Sequence, residues 1–203
     1  MDRRTLVLSG FAAMGASACT TLTPAGPGAT QPNPATGPTG QPPQTYTMDE
    51  IVSQGSDALG VAAESVGAAV ERVFRDYGQP TAYLAGEEAS AAITIGARYG
   101  QGLLYMKERA GTPVFWQGPS VGFDMGGNAS RVFTLCYNLE YPDAIFRRFP
   151  GVEGSAYLVG GLGVNYQRAE NIVLAPIRAG VGLRLGANIG YLVYSRQRNI
   201  LPF

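Results

Sequence analysis

Residues 81–108, TAYLAGEEASAAITIGARYGQGLLYMKE, mark the point where the chain changes period. Before them, apolar residues recur every three or four positions. From Thr81 onward, apolar and polar side chains alternate with period two, the signature of half-buried strands. The alternation continues to the C-terminus and predicts strands over 82–86, 91–98, 102–108, 113–116, 120–125, 130–138, 155–166, 172–185 and 189–195. Turn residues punctuate them at Gly111, Gly118-Pro119, Gly126-Gly127-Asn128 and Gly186-Ala187-Asn188. A turn or two of helix is expected over 142–149, with Pro142 near its start and Gly151 past its end. Consecutive short strands with glycine at the bends predict a mainly β protein with N-terminal helices. The expected form is a small closed or strongly coiled β-barrel of about eight antiparallel strands with helices packed outside, since closure removes exposed edges.

Upstream, Thr47-Met48-Asp49-Glu50 reads as a capping box opening a short helix. A second helix is predicted over 56–77, stopped by Gly78 with Pro80 beyond. Its stripe of Leu59, Ala62, Val66, Ala69, Val70, Val73 and Tyr77 suits packing on a sheet. The opposite face, with Glu64, Glu71, Arg72, Arg75 and Asp76, lacks the cationic excess of a lipid-surface helix.

The first 18 residues read as an export signal outside the fold: Arg3-Arg4, an apolar run over 6–14, then Ala16-Ser17-Ala18 before Cys19. Arg3-Arg4 followed by Thr5-Leu6-Val7 resembles a twin-arginine signal, with Asp2 where Ser or Thr is usual. Ala16-Ser17-Ala18-Cys19 resembles a lipobox, with Ala16 in place of the common Leu. Lipidation of Cys19 is the favoured reading, because ordinary cleavage after Ala18 leaves a cysteine there unexplained. Residues 19–47 carry no charge and are rich in Pro, Thr and Gly, too poor in apolar side chains to offset ordering entropy. They form a disordered spacer, and 48–203 form the helix-plus-barrel domain.

Composition narrows the function. The 203 residues contain no histidine, which removes the usual general base near neutral pH and the commonest metal ligand. No metal, cofactor or catalytic residue is expected. With 15 basic and 15 acidic residues the formal net charge is zero, so no basic face is available for nucleic acid. Cys136, inside an apolar run, reads as a buried small hydrophobe. Glu87-Glu88 and Asp124 have no second carboxylate at informative spacing and read as solvated loop residues. Gly118-Pro119-Ser120-Val121-Gly122 matches a nucleophile elbow in letters only, without helix or histidine, and reads as a Gly-Pro turn entering a strand. Gly160-Gly161-Leu162-Gly163 and Gly180-Val181-Gly182 lie within apolar alternation, where glycine lets strands bend or leaves room for an apolar ligand. Trp116, Phe123, Phe133, Tyr157 and Tyr166 line the core or such a cavity, core packing being the main role.

Three blocks, 118–132, 151–157 and 174–191, resemble the EipA family: Gly118-Pro119-Ser120-Val121-Gly122-Phe123-Asp124-Met125-Gly126-Gly127-Asn128, then Gly151-Val152-Glu153-Gly154-Ser155, then Leu174-Ala175-Pro176-Ile177-Arg178-Ala179-Gly180. The likeness spans about 81–203. It implies a soluble periplasmic domain with a roughly eight-stranded barrel and a role in envelope integrity, and brings no catalytic residues. Tyr99-Gly100-Gln101-Gly102 and Trp116-Gln117-Gly118-Pro119-Ser120 resemble, more faintly, blocks of the SYLF lipid-binding domain. The expected function is a non-enzymatic periplasmic binding or structural module for an envelope component, an apolar or lipid ligand among the candidates, with membrane contact through a Cys19 lipid anchor. The alternatives are a lipid-binding module and a small integral outer-membrane barrel, the latter suggested by the terminal Phe203 and opposed by Pro202.

Overall fold

The structure, a computed structural model, describes residues 44–124, 130–179 and 190–199, with 91–95 and 120–124 described by backbone alone. The export signal, Cys19, most of the spacer, the Gly126-Gly127-Asn128 turn, Gly180-Val181-Gly182 and Phe203 lie outside the described residues. Helices α1 (Met48–Leu59) and α2 (Ala63–Tyr77) precede nine strands: β1 (Ala82–Met106), β2 (Thr112–Asp124), β3 (Ser130–Tyr137), β4 (Arg148–Pro150), β5 (Tyr157–Val159), β6 (Leu162–Val164), β7 (Gln167–Ala169), β8 (Ile172–Arg178) and β9 (Tyr191–Ser195). A 3-10 turn at Pro142–Ile145 begins at its proline, as expected.

The capping box forms as predicted. The Glu50 N–H donates to the Thr47 hydroxyl at 3.3 Å, and the Glu50 carboxylate accepts from the Thr47 N–H at 2.7 Å. The helix break falls later than predicted. α1 runs on through Leu59 and ends where Gly60 adopts φ 66°, a left-handed cap. Ala62 consequently sits in the link between helices. Val66, Ala69, Val70 and Val73 are fully buried, and each buried valine contributes about 1.5–3 kcal/mol over exposure.

The strands form one antiparallel sheet in the order β4-β9-β2-β1-β3-β8-β6-β5, with β7 also paired to β8. It is a curled half-barrel. The expectation of full closure is not met among the described residues: β4 and β5 end the ladder, and the flank of β4 meets β7 through one isolated bridge, Gly151 to Gln167.

Fewer, longer strands replace several of the predicted ones. The predicted breaks within 82–106 vanish because β1 bends instead of stopping: its first arm pairs with β3 and its second with β2. Gly86 and Gly102 permit the bend. A Cβ on Gly86 would lie 2.2 Å from the Gln101 carbonyl oxygen and 2.7 Å from the Gly102 Cα. Only bare backbone lets the two arms come this close.

Gly118-Pro119 is likewise no turn. Both residues lie within β2, opposite Arg98 and Ala97. Beyond Gln117 no β9 residue pairs with β2, so the N–H that proline lacks is not missed there. Conversely, the predicted strand 155–166 is a hairpin. Gly160 and Gly161 have φ 57° and 79°, the two left-handed positions of a tight two-residue turn between β5 and β6.

Alternation along the strands builds two cores. Ala82, Leu84, Leu104, Val114, Trp116, Leu174, Leu192 and Tyr194 share the inner face of the curl with Ile145 and Phe149. Tyr83, Phe133, Leu135, Tyr137, Val173 and Ile177 form the opposite face, packed against both helices.

Candidate functional site

The inward alternation of Ala82, Leu84 and Gly86 continues to Glu88, which is only 3 % exposed. The expectation that Glu87-Glu88 is a solvated loop therefore fails: both residues lie within β1, Glu87 exposed and Glu88 buried. Three elements converge on the buried carboxylate. Arg98, on the second arm of β1, reaches Oε1 through Nη1 at 2.9 Å. Arg178, at the end of β8, donates to Oε1 from Nε at 2.9 Å and to Oε2 from Nη2 at 3.4 Å. The indole N–H of Trp116, on β2, donates to Oε2 at 2.9 Å. Arg178 also donates to the Asn165 side-chain oxygen. Register explains the meeting: Arg178 lies level with Val132, and Val132 with Gly86, so Glu88 is two residues along on the same face.

Burial by itself raises the Glu88 pKa. The charges of Arg178 and Arg98, with hydrogen bonds from Arg178 and Trp116, outweigh burial and hold the carboxyl below its usual range. Glu88 is thus an anchor held ionised near neutrality, unsuited to giving up or taking a proton there.

Beside this network a cleft of about 450 Å3 opens, lined by Glu87, Tyr99, Gln101, Phe115, Trp116 and Arg198 among others. Trp116 links cleft and network. Its ring lies against the Gly100 backbone so closely that a Cβ there would fall 2.0 Å from the indole. The Glu88 bond fixes the other edge. Phe115 and Tyr99 are half-buried on adjacent strands, and Arg198 donates to the Gln101 side-chain oxygen, joining the chain beyond β9 to β1.

Residues 44–203, most of the chain, match the family model described as envelope integrity protein A, EipA. The chain belongs to the EipA family. A solved β-barrel-like, uncharacterized protein from Brucella abortus is similar to it, with 46 % identity and a TM-score of 0.71 over 78 % of this chain and 99 % of that one. No curated protein sequence matches.

Within this EipA-family fold the five predicted aromatic residues do not gather in one cavity. Trp116 lies on the inner face and also lines the cleft, whereas Phe133 and Tyr166 are buried on the helix-facing side. Tyr157 is half-buried there, its ring under the Arg72 guanidinium at 4.0 Å and its hydroxyl near that of Tyr166, which donates to Asp76. The Phe123 and Asp124 side chains lie outside the described residues. Cys136 is fully buried, and desolvation pushes its thiol far above the ordinary range, in keeping with an inert packing role. Ser120 sits on the β2 backbone opposite Gly96, within a strand and not at a strand-to-helix turn.

Sequence reasoning missed Glu88, Arg98 and Arg178. The one available signal was the inward phase running unbroken from Ala82 to Glu88. Its arginine partners lie ten and ninety positions further along the chain, beyond any local pattern.

Proposed function

We propose that this EipA-family chain is a non-enzymatic periplasmic module that supports envelope integrity by holding an envelope component in the cleft beside Trp116. The observation that carries the reading is the state of Glu88: the buried carboxylate bordering the cleft is fully committed to Arg98, Arg178 and Trp116. It positions a ring and leaves no reactive group at that wall. The cleft combines aromatic surface with a few polar groups, the composition of a recognition site.

An outer-membrane barrel is the poorer reading. Two helices with charged outer faces cover one side of the sheet, and spanning strands need that side for lipid. The proposal includes export by the first 18 residues and tethering through a lipid on Cys19, with the uncharged segment as spacer.

The test is complementation. A deletion strain is challenged with detergent and supplied with wild-type, Phe115→Ala or Cys19→Ala protein, and intact mass and membrane extraction are read alongside. The expected result is failure of Phe115→Ala at normal abundance, with acyl mass on wild type and release of Cys19→Ala from the membrane. Full rescue by Phe115→Ala refutes a role for the cleft, and wild type lacking acyl mass refutes the anchor.

A further inference from the structure

Building on the binding reading above, we propose that the β5–β6 hairpin is a lever through which the helix side of the domain controls the Trp116 wall of the cleft. The coupling runs through two adjacent residues just past β6, Asn165 and Tyr166. Successive side chains of an extended segment point to opposite faces of a sheet. On the helix side, the Tyr166 hydroxyl donates to the Asp76 carboxylate of α2 at 2.6 Å. It also lies 3.2 Å from the hydroxyl of Tyr157, whose ring carries the Arg72 guanidinium at 4.0 Å. On the interior side, Asn165 accepts from Arg178, Arg178 donates to both oxygens of Glu88, and Glu88 holds the Trp116 indole. Arg178, Glu88 and Trp116 are all buried, so water does not take the place of a displaced partner.

The hairpin is the movable part. Among the described residues β6 pairs with β8 at two positions, Val164 with Ile177 and Gly163 with Arg178 itself, and β5 ends the ladder. An element so lightly paired belongs to the low-stability end of the fold and takes its position from α2 as well as from the sheet. Its turn lies against that helix, Gly160 beside the Ser65 backbone, and Tyr77 meets the Tyr166 ring edge-on at 5.0 Å between centroids. Moving the hairpin against α2 therefore carries Asn165 with it and loosens Arg178, Glu88 and Trp116 in turn.

The protein has one tryptophan, so its emission reports on this wall alone. Acrylamide quenching is measured on the processed full-length protein and its variants, each well below its urea midpoint. Tyr166→Phe keeps the ring and removes the bonds to Asp76 and Tyr157. It is expected to raise the quenching constant about twofold or more, the scale of couplings carried by packed networks. Asn165→Ala should do the same, and Tyr166→Phe should add nothing in the Asn165→Ala background. Asn165→Asp still accepts from Arg178 and should match wild type. Tyr83→Phe loses a comparable bond, to Gln54 on α1, and should leave quenching unchanged. In the detergent challenge, Tyr166→Phe should complement less well than Tyr83→Phe.

Unchanged quenching in Tyr166→Phe overturns the lever. So does an equal rise in Tyr83→Phe, or an undiminished effect of Tyr166→Phe when Asn165 is already alanine. Equal complementation by Tyr166→Phe and Tyr83→Phe overturns its regulatory role. If the lever fails while Phe115→Ala still fails to complement, the binding reading stands. If quenching behaves as expected but Phe115→Ala complements fully, the regulatory role falls with the binding reading.

Discussion

Replacing Glu88 by Gln removes one charge while keeping the size of the side chain. The effect follows from its partners. The carboxylate accepts from Arg98, twice from Arg178 and once from Trp116, while 3 % exposed. A glutamine amide offers one oxygen and turns an NH2 donor toward guanidinium donors. Two arginines are then left buried without their counter-charge. Breaking a buried pair from one side costs about 3–5 kcal/mol. In a domain of this size each kcal/mol lowers Tm by about 2–4 °C, so a fall of roughly 6–20 °C is expected.

The assay is urea and thermal unfolding followed by circular dichroism, from pH 7 down to about 3. The folded-state carboxyl is held below its ordinary value, so its contribution is fully present above the ordinary glutamate pKa, near 4.3. It is lost as pH falls through the lowered value. The gap between wild type and Glu88→Gln must therefore shrink on acidification. The combined variant Glu88→Leu, Arg98→Met, Arg178→Met removes all three charges and should recover much of the single variant's loss, less the cost of the Trp116 N–H and Asn165 oxygen left without their partners. A Glu88→Gln protein within about 1 kcal/mol of wild type at pH 7, or a gap unchanged at low pH, would refute this account of the network.

Two further outcomes test the fold. Gly86→Ala forces a methyl into the Gln101 carbonyl and Gly102 backbone, and should cost about 3 kcal/mol or more in urea unfolding, whereas Gly67→Ala on α2, with open space around it, should gain about 0.5–1 kcal/mol. In a Cys19→Ala background, Cys136 should be inert to a thiol reagent in the native state and react fully in urea; rapid native labelling would contradict its burial.

Much of the architecture was readable in one dimension because it depends on local rules. The capping box at Thr47–Glu50 needs residues three apart, and the α2 stripe needs a period that the helix itself imposes. The switch to period two at Thr81 marks the start of the sheet for the same reason. The exclusions drawn from composition, above all from the missing histidine, also required no coordinates. The signal and Cys19 remain readings of sequence.

Where sequence reading went astray, long-range approach was responsible. Gly86 closes a predicted strand and Gly118 reads as a turn, yet each serves a close contact within a continuous strand, with Gln101 and Gly102 in one case and Tyr191 in the other. Gly160-Gly161 looked like strand interior and is a turn, because β5 and β6 are three residues each and must reverse between them.

The buried ionic network shows the division most sharply. The alternation that Glu88 shares with Leu84 is present in the sequence, although there Glu88 reads as a solvated loop residue. Only the tertiary structure decided that Arg98 and Arg178 would meet it, because curling the sheet closes distances of ten and ninety residues at once. A buried carboxylate is tolerated only where such partners converge, and their convergence turns Trp116 into one wall of a cleft.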